Sequence, residues 1–153
     1  MTLCKKLDTK RTKQAAIKRL SNYRTVAKIA QTDYTSKVTA TYSFEPRSFG
    51  GMVNKPLEDH VCRKDAAQRL LEDMSYAINM ISKVEYRRIL LEKYCNKYEV
   101  SDKVLYMEME YSESEYYRKL EKALISFAES FRGGELLVFE DGTNVDDFIM
   151  ELF

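Results

Sequence analysis

The placement of proline and glycine constrains this chain more than any other feature. Both prolines, Pro46 and Pro56, and two of the five glycines, Gly50 and Gly51, fall within eleven residues, and the other glycines are Gly133, Gly134 and Gly142. Proline removes a backbone donor, and glycine costs a helix about 1 kcal/mol relative to alanine, so such clusters mark linkers and helix stops. Between them, residues 57–132 carry neither, and their apolar side chains recur at helical spacing. An all-α body is therefore expected, and a turn-rich all-β fold is not. At 153 residues, 44% hydrophobic and 32% charged, the chain can form one compact domain with a real core.

Within that frame, Thr9 to Gln31 reads as an amphipathic helix. Ala16, Leu20, Tyr23, Ala27 and Ala30 make one seam, flanked by Lys10, Arg11, Lys18, Arg19 and Lys28, with Asp8 or Thr9 as the cap. The stripe must dock on the rest of the chain or on a second copy. Val38–Phe44 alternates with period two and reads as extended. Leu70, Met74, Ala77 (or Ile78) and Ile81 form the next helical stripe. The Ser82–Glu85 capping-box pattern predicts a break there, followed by a helix through Tyr86, Ile89, Leu90, Lys93 and Tyr94. A short helix over Ser101–Met109 follows, and Ser112–Glu115, a second such box, opens a long helix to about Phe131. Gly133 and Gly134 stop it. Leu136–Phe139 before Asp141-Gly142 predicts a short β piece, and Val145–Phe153 an apolar-striped acidic helix with the Thr143–Asp146 capping pattern at its start. That tail either packs on the body or holds a partner. The expected divisions are a basic helical arm at 1–37, an extended linker at 38–56, a helical body at 57–132 and an acidic tail at 133–153.

The net charge of +1 conceals an asymmetry: residues 1–37 carry +8 and residues 135–153 carry −6. A basic end suits a polyanion. No apolar run approaches the roughly 20 residues of a membrane span, and the first residues lack a signal-peptide core, so no membrane association is expected. Three distant cysteines, Cys4, Cys62 and Cys95, fit a reducing cytoplasm better than a disulfide framework. A single histidine, His60, leaves any Ser-His or Cys-His pair dependent on one residue. His60 and Cys62 have no second ligand pair at zinc spacing, and no phosphate-cradling glycine loop occurs. The expectation is a protein without catalysis, metal or cofactor.

The informative stretch is 101–131, where a short helix, a tight turn and a Ser-capped longer helix outline a helix-turn-helix. Leu105, Met109, Tyr111, Tyr116, Leu120, Ala123, Leu124 and Phe127 would form its core. Its outward face would then present Ser112, Glu113, Ser114, Tyr117, Arg118, Glu121 and Lys122. The first two turns of a recognition helix reach base edges in the major groove. There Arg118 suits guanine and Glu113 cytosine N4, while Ser112, Tyr117 and Lys122 suit phosphates. Residues 112–132 hold four acids and four bases, so the attraction to phosphates must come from elsewhere. The available cations are Lys10, Arg11, Lys13, Lys18 and Arg19 on the arm, with Arg87 and Arg88.

Tyr111–Phe131 (YSESEYYRKLEKALISFAESF) resembles the C-terminal signature of the ArpU family of phage transcriptional regulators, a group related to RinA-type late-gene activators. The resemblance extends to Tyr76–Tyr94, Val38–Pro46 and Thr12–Arg24, in the same order. It implies a sigma-factor-like helix-turn-helix that binds promoter or operator DNA in the cytoplasm of a bacterial host and controls packaging, structural or lysis genes. It also places the turn at Glu110-Tyr111-Ser112 and the reading residues at Glu113, Ser114, Tyr117 and Arg118. Two positions depart from the pattern. Glu110 stands where glycine or asparagine is usual, because φ there is often positive, and Tyr106 stands where a small residue lets the two helices cross closely.

The leading reading is a DNA-binding regulator, with RNA polymerase and a second copy of the chain as further partners. The alternative is a helical adaptor that binds RNA polymerase or a phage packaging protein without reading DNA. A third is the small DNA-recognition subunit of a phage terminase.

Overall fold

A computed structural model describes residues 6–31 and 55–152 of the chain. Seven α-helices lie in these residues: α1 (Thr9–Ser21), α2 (Tyr23–Gln31), α3 (Lys55–Asn79), α4 (Val84–Leu90), α5 (Asp102–Glu108), α6 (Glu113–Ser130) and α7 (Val145–Leu152). The extended reading of Val38–Phe44, and most of the proposed linker, lies outside the described residues. Pro56 falls in the first turn of α3, where its missing N–H has no intrahelical partner to lose.

Asp8 caps α1, its Oδ1 accepting from the Arg11 N–H at 3.0 Å. Thr12, Ala16 and Leu20 face inward with no measurable exposure. The long helix expected to run unbroken to Gln31 bends at Asn22. There the Asn22 Nδ2 donates to the Lys18 carbonyl at 3.1 Å and its N–H to the Arg19 carbonyl at 3.3 Å, closing the first helix. The break resets the phase, so Val26 and Ala30 are the buried residues of α2, while Tyr23 and Ala27 are half-buried.

The basic segment is built into the body: α1 packs along α6 and α2 along α3. The stripe therefore docks on its own chain. Arg24 fastens α2 further on, its guanidinium donating to the carbonyls of Asn96 at 2.8 Å, Lys93 at 2.9 Å and Tyr98 at 3.4 Å. These include carbonyls that the end of a helix leaves unpaired. Between α4 and that end, Leu91–Cys95 winds as a π-turn that buries Tyr94. One core joins all these elements, with Tyr116, Phe127, Phe131, Leu20, Met74, Ile78, Ile89, Leu90 and Leu105 as its largest fully buried side chains.

Three local expectations are corrected. The α3–α4 break falls where predicted, but Ser82 does not cap α4: Lys83 is the cap residue and no side chain bonds there. The Glu85 carboxylate instead pairs with Lys119 of α6 at 2.6 Å, a tertiary ion pair taking the group that a capping box would use. The short β piece does not form; residues 136–139 make only an isolated antiparallel bridge between Leu7 and Phe139 among the described residues. Asp8 donates to the Val138 carbonyl at 2.8 Å and Glu140 to the Lys6 carbonyl at 3.0 Å. The start of α1 at Thr9 and the turn closed by the Gly142 N–H on the Phe139 carbonyl leave no length for a ladder. The buried Thr12 hydroxyl adds to the joint, accepting from the Val138 N–H at 3.1 Å. Finally, α7 is capped by Asn144, whose Oδ1 accepts from the Asp147 N–H at 2.9 Å, while Thr143 bonds to Asp141.

After α6 the chain reverses through Gly134 at φ 92°. A Cβ there would lie 3.1 Å from Leu137 Cδ1 and 3.2 Å from Val145 Cγ2, so both conformation and space call for glycine. Within the tail, Phe148 of α7 stacks its ring 5.2 Å from that of Phe139, leaving Ile149 and Met150 exposed.

Candidate nucleic-acid interface

The geometry of α5 and α6 begins with how α5 ends. The Glu110 N–H bonds to the Met107 carbonyl at 3.2 Å and the Tyr111 N–H to the Tyr106 carbonyl at 2.9 Å, with Glu110 at φ 59°. These two bonds, five-to-two and six-to-one, are the Schellman pattern, which wants a left-handed residue at the position Glu110 holds. A positive φ costs a side-chain-bearing residue about 1–2 kcal/mol. Glu110→Gly is therefore expected to stabilise the protein by about 1 kcal/mol, read as a higher denaturant midpoint at unchanged slope. An unchanged or lowered midpoint would show that the Glu110 side chain contributes something glycine cannot.

Ser112 then caps α6, its Oγ accepting from the Glu115 N–H at 3.2 Å. The helix buries Tyr116, Leu120, Ala123, Leu124, Phe127 and Ala128, and Leu105 and Met109 are buried on the α5 side. At the crossing stands Tyr106, half-buried, with its ring centre 5.9 Å from that of Tyr116. The two tyrosine rings pack against each other between α5 and α6.

A charged node sets the start of α5. Asp102 accepts from the Tyr116 hydroxyl at 2.9 Å, from the Lys93 ammonium, and from the Tyr117 hydroxyl at 3.5 Å. Partial burial pushes the Asp102 carboxyl up. The hydrogen bonds from Lys93 and Tyr116, with the charge of Lys93, outweigh that and hold it below the usual carboxylate value. The same node pushes the Tyr116 hydroxyl up, through burial first and the bond to Asp102 second. Because the folded carboxyl is the stronger acid, its contribution to stability is present above an unfolded value of about 3.9 and is lost as pH falls through the folded value. Asp102→Asn is expected to flatten that acid limb in urea midpoints measured across pH. A variant that loses stability with acid as steeply as the parent would remove Asp102 from that role.

Lys119 is a second fastener that the sequence reading passed over. Its ammonium contacts Glu85 at 2.6 Å and Glu115 at 3.5 Å, and lies 4.3 Å from the centre of the Tyr111 ring. It ties α4, the turn and α6 together. The pairing of Lys93 with Asp102 and of Lys119 with Glu85 left no periodic signal in the sequence, because each joins residues of different elements.

Ser112, Glu113, Ser114, Tyr117, Arg118, Glu121 and Lys122 are all exposed. Arg118 makes no hydrogen bond or ion pair among the described residues. Of the other expected cations, the structure brings Lys13 beside Lys122. Both line a groove with Thr9, Tyr86, Glu121, Ile125 and Ser126, and Lys13 pairs with Glu121 at 3.0 Å. Arg19 lies over the Phe131 ring at 5.3 Å, toward the other end of α6, and Arg11 pairs with Asp8 at 3.4 Å. Lys10, Lys18 and Arg88 are exposed, and Arg87 is half-buried.

Elsewhere the chemistry is sparse. Burial pushes the Cys95 thiol up to about 12, against the opposing charge of Arg24, so it holds little nucleophilic thiolate. Among the described residues no group of His, Cys, Asp and Glu gathers around a metal position, and no helix is long and apolar enough to cross a membrane.

Among the described residues these features define a mostly helical domain with a short and a long helix joined by a tight turn and a polar, solvent-facing start to the long helix. No family model and no solved structure matches the chain. It is, however, 30% identical over 136 residues to the "Putative autolysin regulatory protein ArpU" of Streptococcus phage O1205, a match covering 89% of this chain and 98% of that protein. The chain belongs to the ArpU family.

Proposed function

We propose that this protein is a phage or prophage transcriptional regulator that binds promoter DNA with α5 and α6 as a helix-turn-helix, in the manner of the sigma-factor region that reads the −35 element. The observation that carries the reading is the turn: Glu110 adopts the left-handed conformation the motif requires, and α6 starts beyond it with an exposed first two turns. Membership in a family whose phage relative is named a regulatory protein supports the regulatory role.

In this reading Arg118 reads guanine through a bidentate pair, and Glu113 and Ser114 meet neighbouring base edges. Tyr117 and the Ser112 hydroxyl contact phosphates. The node at Asp102 and the fastener at Lys119 hold α6 at one angle to its support, so these side chains enter the groove together. Lys10, Lys13, Lys18, Arg19, Arg87 and Arg88 supply the sequence-independent attraction that the charge-balanced α6 lacks. The genes under control are late ones, and the site of action is the cytoplasm of the bacterial host.

Selection of bound fragments from the source phage genome, at physiological salt and read by sequencing, tests the reading. Enrichment of one upstream segment is expected, whereas uniform or absent recovery would overturn sequence-specific regulation. A protein-adaptor role is favoured by one observation, the exposed Ile149 and Met150 on the acidic α7. It predicts no enriched segment and an RNA polymerase or packaging partner instead.

A further inference from the structure

The groove between α1 and α6 lies beside the reading face but takes no part in reading bases. Its walls carry Lys13 of α1 and Lys122 of α6, with the hydroxyl residues Thr9 and Ser126 and the edge of Tyr86. Lys122 follows Arg118 by one helical turn, so the two share a face, with Cβ atoms about 5–6 Å apart. A recognition helix that sends its first two turns into the major groove brings its later turns out at the sugar-phosphate backbone. The groove is therefore where a backbone phosphate arrives when Arg118 is over a base.

In the free protein a carboxylate stands there. Glu121 lies in the groove, its side chain 62% exposed, and holds Lys13 at 3.0 Å. The Lys13 side chain is itself 25% exposed, so most of its length is packed and the pair with Glu121 fixes where its ammonium points. A carboxylate and a phosphate offer the same acceptor oxygens to an ammonium, and only one can take Lys13. We infer that the α1–α6 groove is a seat for one DNA backbone phosphate, with Lys13 and Lys122 as its ligands, and that Glu121 occupies Lys13 until the phosphate displaces it. The inference rests on the DNA-binding reading and adds to it a site and an internal competitor.

The consequence runs opposite to an ordinary loss of contact. Glu121→Gln removes the competitor and its repulsion of phosphate while keeping the side chain's size. The probes are the labelled duplex recovered by genome selection and a scrambled duplex of the same length, each titrated across a range of salt. Glu121→Gln is expected to tighten both duplexes by the same factor, about 3–10-fold, and to leave their ratio unchanged. Lys122→Gln should weaken both equally and reduce the salt slope by about 1. Thermal melts of each variant confirm that the fold is kept.

If Glu121→Gln remains folded and binds no tighter, or changes the two duplexes unequally, the seat is wrong, while Arg118-dependent discrimination would leave the DNA-binding reading standing. If the parent protein retains neither duplex even at low salt, the DNA-binding reading fails and the seat fails with it.

Discussion

Arg118→Ala is expected to cost about 1–3 kcal/mol of discrimination between the preferred segment and a scrambled one, a loss of roughly 5–150-fold in relative affinity. The size follows from what a guanidinium does at a base edge. Two parallel N–H donors match the guanine acceptors O6 and N7, and a wrong base leaves a donor or acceptor unpaired. The position supports a large effect: Arg118 points away from the core on the second turn of α6 and makes no hydrogen bond or ion pair among the described residues. Its removal exposes no buried group, so stability should stay within about 0.5 kcal/mol of the parent. Binding to cognate and scrambled duplexes, measured at one salt concentration, gives the answer. Equal weakening of both would make Arg118 a phosphate contact and move base reading to Glu113, Ser114 or Tyr117.

Phe127→Ala carries the largest stability effect, about 3–5 kcal/mol. Phe127 is fully buried, its ring centre 5.5 Å from that of Phe131, on the side of α6 that faces the core. Truncation leaves a cavity the surrounding helices cannot readily close, because α1 is bridged to Phe139 at its start and continues at its finish into α2, which Arg24 fastens to the Lys93 and Asn96 carbonyls. A domain stabilised by roughly 5–15 kcal/mol loses a large share of that margin. The thermal midpoint should fall by roughly 10 °C. A fall of only one or two degrees would mean that α1 shifts to fill the space and that its contact with α6 is looser than it stands. In the proposed reading, DNA binding at a temperature where the variant remains folded should keep its sequence preference, because none of the residues proposed to read bases is touched.

How legible each part was depends on whether its signal lay within one element. The inward positions of α6 were readable because a helix that buries one side repeats its apolar residues at a fixed period. Every residue assigned to that core from Leu105 to Phe127 is buried except the half-buried Tyr111. The Ser112 cap was readable for the same local reason, its bond closing three residues on. The Ser82 cap carried an identical pattern and failed, because a lysine from α6 competes for Glu85. Local patterns give way where a tertiary partner offers the same group a better bond. The β piece failed similarly: apolar residues 136–139 are buried or half-buried, but a strand needs a partner of matching length, and α1 starts too soon to supply one.

The candidate site divides along the same line. Which residues of α6 face solvent follows from its periodicity, and the structure leaves all of them exposed. The left-handed turn at Glu110 was foreshadowed by the motif but contradicted by the residue type, since glutamate has no preference for it. The conflict is settled by two local hydrogen bonds that close the turn and by the packing of the half-buried Tyr106 ring on the buried Tyr116.

The sequence by itself determined the number and extent of the helices around the tight turn, the buried side of α6 and the polarity of its outward face. These rest on backbone hydrogen bonds and apolar periodicity within a dozen or so neighbouring residues. Only the tertiary structure decided that the basic N-terminal helix is part of the core, that Asp102 joins Lys93 to Tyr116 and Tyr117, and that Lys13 and Glu121 meet beside Lys122. Those are meetings of side chains far apart in the chain or on different helices, set by which apolar faces pack together, and no spacing along a single helix encodes them.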